Sequence, residues 1–115
     1  MSKSRVPRLV VTQTAARTIV EQANYYAMRE GSALADRWEA AVWQALTSLP
    51  KMPGCGAPCN FRSPELKNLR RAAVPGFARH LIFYEHLRDQ GILRVVHVLH
   101  GARDIESLLR TQTAP

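Results

Sequence analysis

Ile92-Leu-Arg-Val-Val-His-Val-Leu-His100, followed by Gly101-Ala-Arg-Asp104, is the stretch on which the fold turns. It is rich in β-branched residues and lies between Gly91 and Gly101, so it is read as a strand. It is apolar on both alternating faces: Leu93, Val95 and Leu99 on one, Ile92, Val96 and Val98 on the other. A strand apolar on both faces belongs in the interior of a sheet. Period two sets His97 with Leu93, Val95 and Leu99, as a core histidine. His100 ends the strand, where a side chain reaches solvent. An imidazole there suits acid–base work, because it titrates near neutral pH. A structural role around the Gly101 turn is the preferred reading of His100.

Outward from this strand, Asp89-Gln90-Gly91 is a turn, and Ala78–His86, with Leu81-Ile-Phe-Tyr84 inside it, is a second strand. Pro75-Gly76 separates it from a third, Leu69–Val74, which completes an antiparallel meander. Residues 50–64 hold Pro50, Pro53, Gly54, Gly56, Pro58 and Pro64 and read as a loop. Before it, Ala16, Ile19, Val20, Ala23, Tyr26 and Ala27 recur at helical spacing. So do Leu34, Trp38, Ala41, Val42, Ala45 and Leu49, ending at Pro50. Thr12 or Thr14 caps the first helix; Gly31 ends it and Ser32 caps the second, giving an antiparallel hairpin. Leu9–Thr12 is a short opening strand, and Asp104 caps a short last helix through Leu108 and Leu109. Strand, two helices, three strands and a short helix make an α+β two-layer sandwich.

The chain has 115 residues and a formal net charge of +7. That is one domain, 1–115, long enough for a single core. No apolar run approaches the roughly 20 residues of a membrane-spanning helix. No signal-peptide pattern follows the basic start, so a cytoplasmic protein is expected. The charge is confined: residues 1–8 carry Lys3, Arg5 and Arg8 without an acid, as a flexible basic arm. Residues 60–80 carry Arg62, Lys67, Arg70, Arg71 and Arg79 against Glu65, and the remainder balances. Thirteen of the sixteen cations are Arg, the residue whose planar fork fits carboxylate and phosphate, which points to an acidic partner. Arg70, Arg71, Arg79, Arg94 and Arg103 fall on or beside the sheet. Arg70 and Arg71 point to opposite faces, so one of them joins a patch on the open face. Phe83 and Tyr84 alternate too, one in the core and the other free to stack on a base or a partner.

Cys55 and Cys59 form one pair, where a zinc site wants two pairs or nearby histidines, so they are read as free thiols and no metal is expected. The glycines match no nucleotide-binding pattern, and no cofactor is expected.

The segment Leu93-Arg-Val-Val-His-Val-Leu-His-Gly-Ala-Arg-Asp-Ile-Glu-Ser-Leu-Leu109 resembles the C-terminal signature of the RelE/ParE superfamily of type II toxins. Pro64-Glu-Leu-Lys-Asn-Leu-Arg-Arg71 and Pro75-Gly-Phe-Ala-Arg-His-Leu-Ile-Phe-Tyr84 look like that family's neighbouring strands. The likeness spans about residues 9–109, and Leu99-His-Gly-Ala-Arg-Asp104 favours the ParE branch. The resemblance implies an acidic, ParD-like antitoxin whose flexible segment folds over the toxin, and operator DNA bound through that antitoxin alone. In the ParE branch the implied target is DNA gyrase, inhibited without chemistry by the toxin. In the RelE branch it is messenger RNA on the ribosome, cut by an endoribonuclease. Such nucleases commonly place a Tyr or His near the chain end, and here none follows His100. The nuclease alternative would rest on His100 with Arg70, Arg79 and Arg103. A third alternative is a non-toxic module that binds antitoxin. Target and antitoxin contacts are expected at Arg70, Arg71, Arg79, Tyr84, Arg94, His100 and Arg103, and on the helical hairpin.

Overall fold

The computed structural model describes residues 6–101, 105, 106, 108 and 109. Strand β1 is Arg8–Val11, and helices α1 and α2 are Gln13–Glu30 and Ser32–Ser48. Strands β2 to β5 are Ala57–Pro58, Arg70–Val74, Phe77–Leu87 and Ile92–His100. The described residues form a five-stranded sheet in the order β1-β5-β4-β3-β2. β1 lies parallel to β5, and the other pairings are antiparallel. The doubly apolar strand is therefore interior, as its pattern predicts. Residues 105, 106, 108 and 109 are helical. The predicted cap at Asp104 and residues 1–5 of the arm expected over 1–8 lie outside the described residues; Arg8, expected in that arm, instead opens β1 and pairs with Ile92.

Thr12 turns β1 into α1. Its hydroxyl accepts the N–H of Ala15 at 3.1 Å and donates to the Val96 carbonyl at 2.9 Å. That second bond meets a need of β5. Phe83 lies opposite His97 and Tyr84 opposite Val95, so Val96 is an inserted residue, a β-bulge. Thr12 takes up the carbonyl of this unpaired residue, as a buried backbone acceptor requires.

Gly31, at φ 102°, joins the helices; its N–H bonds the carbonyls of Tyr26 and Ala27 at 3.1 Å. Ser32 opens α2 as a helical residue and makes no cap bond, contrary to expectation, because Gly31 occupies the capping position. The buried faces are Ala15, Ile19 and Ala23 in α1 and Ala35, Trp38, Val42 and Leu46 in α2. Val20 and Ala27, expected in the stripe, are exposed. The buried stripes run instead through Ala15 and Ala23 in α1 and Ala35 in α2. Trp38 Nε1 donates to the Ile19 carbonyl at 3.0 Å, so the indole fills the hairpin without an unpaired N–H.

The sheet carries a core on each side. Against the helices lie Val74, Ile82, Tyr84, Leu93, Val95 and Val98. On the other face Cys59, Leu66, Leu69, Phe83, Val96 and Leu109 form a second cluster, with Phe61, Leu81, Leu99 and Ile105 packed against it. The face expected to be open is thus partly roofed by the loop before β3 and by the C-terminal helical residues. The bulge also corrects His97. Val95 and Val98 share the helix side while Val96 and Leu99 share the other, so strict alternation fails at 96–97. His97, opposite Phe83, is buried as expected but belongs to Phe83's face rather than to that of Leu93 and Val95.

Candidate functional site

The register of β4 on its neighbours decides which candidate residues meet. His100 lies opposite His80, and their rings pack edge to face at 5.0 Å. His80 is buried on the helix side, where its Nε2 hydrogen-bonds the Tyr26 hydroxyl at 2.8 Å and its ring lies 4.4 Å from Trp38. Burial holds the His80 imidazole well below its ordinary value, at about 4, and the nearby His100 adds to that. His80 is therefore neutral near neutral pH. Sequence reading passed over it, although its alternation with Ile82 and Tyr84 in β4 marks it as a core position.

Arg79, the neighbour of His80 in β4, points to the opposite face. Its carbonyl accepts the Gly101 N–H at 2.7 Å, so backbone closes the turn that His100 was expected to brace. A Cβ on Gly101 would stand 2.8 Å from Leu81 Cδ1 and 3.3 Å from the Arg79 carbonyl oxygen, so the turn packs closely on β4. Arg70 lies opposite Tyr84, four residues along β4 from His80, or about 13 Å at strand spacing. His100, Arg79 and Arg70 are thus not one constellation: two faces and both ends of the sheet separate them. Arg103 lies outside the described residues.

Arg70 and Arg71 do diverge, as predicted. Arg70 is half-buried, and its Nη1 donates to the carbonyls of Gly56 at 2.5 Å and Gly54 at 3.4 Å. Arg71 lies near Cys59 on the other face, where burial raises the Cys59 thiol's pKa and Arg71 opposes the rise. Both thiols are free; Cys55 is exposed and Cys59 buried. Tyr84, expected as a contact residue, is fully buried. Its hydroxyl donates to the Pro53 carbonyl at 2.8 Å and accepts the Gly56 N–H at 2.9 Å, fastening the loop to the sheet. A Cβ on Gly56 would lie 2.6 Å from that hydroxyl, so the fastening requires glycine. Phe83 is buried as well, and neither ring is presented for stacking. Arg94 forms an ion pair with Glu85. Among the described strand residues, the exposed cations on the face of Phe83 are then Arg71 and Arg79.

No helix among the described residues is long and apolar enough to cross a membrane. No match is found among curated proteins. Solved structures share the fold, the following three among them. A chain of the chromosomal ParDE toxin–antitoxin system from P. aeruginosa superposes with a TM-score of 0.71 at 13% identity, covering 86% of this chain and 100% of that one. A chain of the RelBE2 toxin–antitoxin complex from Mycobacterium tuberculosis gives 0.58 at 18% identity, covering 89% and 100%. The isolated E. coli RelE toxin gives 0.52 at 10% identity, covering 92% and 97%. The family model described as the ParE toxin of the type II toxin–antitoxin system parDE matches residues 9–105. With that match across nearly the whole chain, on the fold those toxins share, the protein belongs to the ParE toxin family of type II toxin–antitoxin systems.

Proposed function

We propose that the chain is a toxin that inhibits DNA gyrase without catalysing a reaction of its own, and that a cognate acidic antitoxin neutralises it. The observation that carries this reading is the ParE family match over residues 9–105. The dispersal of the candidate nuclease residues agrees with it. Acid–base cleavage needs a proton donor and phosphate-binding cations around one atom, and His100 and Arg79 face opposite sides of the sheet.

The antitoxin reading draws on the ParDE and RelBE2 structures, both of which come from toxin–antitoxin systems. It has a surface to match. A groove of about 440 Å³ between α2 and the β3–β4 turn is lined by Leu34, Ala40, Ala41, Gln44, Pro75 and Phe77, with Arg37 at its side. Trp43 is also partly exposed on α2. An amphipathic acidic segment laid across the hairpin would bury such a groove, while Arg71 and Arg79 lie exposed on the sheet. Its affinity should fall as salt rises; salt-independent binding would put the energy in the groove alone.

Purified protein is expected to block supercoiling by gyrase and to leave ribosome-bound mRNA intact. Codon-positioned cuts in mRNA with no effect on gyrase would overturn the reading. Cuts abolished by His100→Ala would then establish the ribonuclease. Harmless expression without an antitoxin would leave a binding module and no toxin.

A further inference from the structure

The end of the sheet far from His100 holds a second concentration of charge. β4 is longer than β3: β3 begins at Arg70 opposite Tyr84, so among the described residues Glu85–Leu87 pair with β5 alone. Beside this overhang is a cleft of about 230 Å³ whose lining includes Pro58, Lys67, Asn68, Arg70, His86 and Arg88. The cations arrive from three separate stretches: Lys67 from the turn before β3, Arg70 from β3, and Arg88 from the turn after β4. Among the described residues, no acidic side chain lines the cleft.

Three unopposed cations around one small space repel one another, and an anion would relieve that repulsion. Arg70 is already held in place by the Gly54 and Gly56 carbonyls through Nη1, so its remaining N–H donors are pre-oriented. Burial and, after it, Arg88 lower the pKa of His86, a bias that a bound anion would oppose. The volume is below the roughly 300–1,000 Å³ of pockets that enclose whole small ligands, so the space fits one group rather than one molecule. A phosphate matches better than a carboxylate, because it carries more charge and more acceptor oxygens for a guanidinium, an ammonium and an imidazole.

We propose that this cleft is an oxyanion subsite that takes a single phosphate group. It is independent of the gyrase reading and lies at the opposite end of the sheet from the Gly101 turn. The phosphate has two chemical sources: a terminal monoester on a free nucleotide, or a diester in a nucleic-acid backbone.

The test is an NMR titration of the full chain with inorganic phosphate, following the His86 ring signals. A saturable shift is expected, weakened about tenfold or more in the Lys67→Ala/Arg88→Ala double variant, whose exposed positions leave the fold and Tm unchanged. Thymidine 5′-monophosphate and thymidylyl-thymidine then separate the sources, the tighter of the two naming monoester or diester. No saturable shift, an equal shift in the double variant, or tighter binding of a pentaglutamate peptide than of either phosphate would each overturn the proposal. Because the readout is binding, its failure leaves gyrase inhibition untouched, and the reverse also holds.

Discussion

The two sides of the sheet are built differently. The helix side is closed by two long helices and contains Trp38, Tyr26, His80 and Tyr84, whose polar tips bond to named partners. The other side is closed by a loop and a few helical residues over Leu66, Phe83 and Leu109. Glu106 ties this roof down, its carboxylate accepting both the N–H and the hydroxyl of Ser63 at 2.8 and 2.9 Å. A cover of a loop and a few helical residues is expected to open locally at lower cost than a hairpin of two long helices. The helix side therefore sets global stability, and the other side sets what the sheet exposes.

The sharpest way to break this comparison is Trp38→Ala. It empties the hairpin and removes the indole's bond to the Ile19 carbonyl, and should cost about 3–5 kcal/mol in denaturant unfolding. A small loss would mean that the helices are not the main core.

Next comes pH. The folded value of His80, about 4, lies below its unfolded value of 6.5, so the unfolded chain binds more protons between them. Stability is then complete above about pH 6.5 and declines as pH falls toward 4, by on the order of 1–3 kcal/mol. Melting curves from pH 7.5 to 4.5 would show the slope, and His80→Gln should reduce it, leaving the part due to His86 and His97, whose pKa values burial also lowers.

Tyr84→Phe removes the bonds to Pro53 and Gly56 while keeping the ring, and should cost about 1–2 kcal/mol. Amide exchange should quicken first around residues 53–56. The smallest effect is expected on the lid: Glu106→Gln should lower stability by about 1 kcal/mol or less and speed exchange at Ser63 before the helices respond. Equal acceleration in α1 would erase the distinction between the two sides.

Much of the fold was legible because its punctuation is strong. Ile92–His100 is bounded by glycines, and its ends were read to the residue. The hairpin was legible through Thr12, Gly31 and Pro50. Ser32, by contrast, makes no cap bond. Leu46 and the alanines at 15 and 35 were missed because the stripes read from spacing lie to one side of the faces that are buried. β2 was hidden because two residues of pairing leave no period to read. The candidate site was less legible. The cations are visible as letters, but which face and end each occupies depends on the register of β4 and on the inserted Val96, and neither is encoded locally. Tyr84 shows the limit well: alternation alone could not say whether it or Phe83 was core, and in fact both are, because the sheet is covered on both sides.

The parallel pairing of β1 with β5 also fixes when the molecule can be completed. Arg8 lies beside Ile92, and Thr12 bonds Val96 across 84 residues of chain. During synthesis at about 5–20 residues per second, the opening strand waits on the order of 4–17 s for the strand that pairs with it. The native sheet is thus complete only once β5 has been made, because β1 has no other strand beside it.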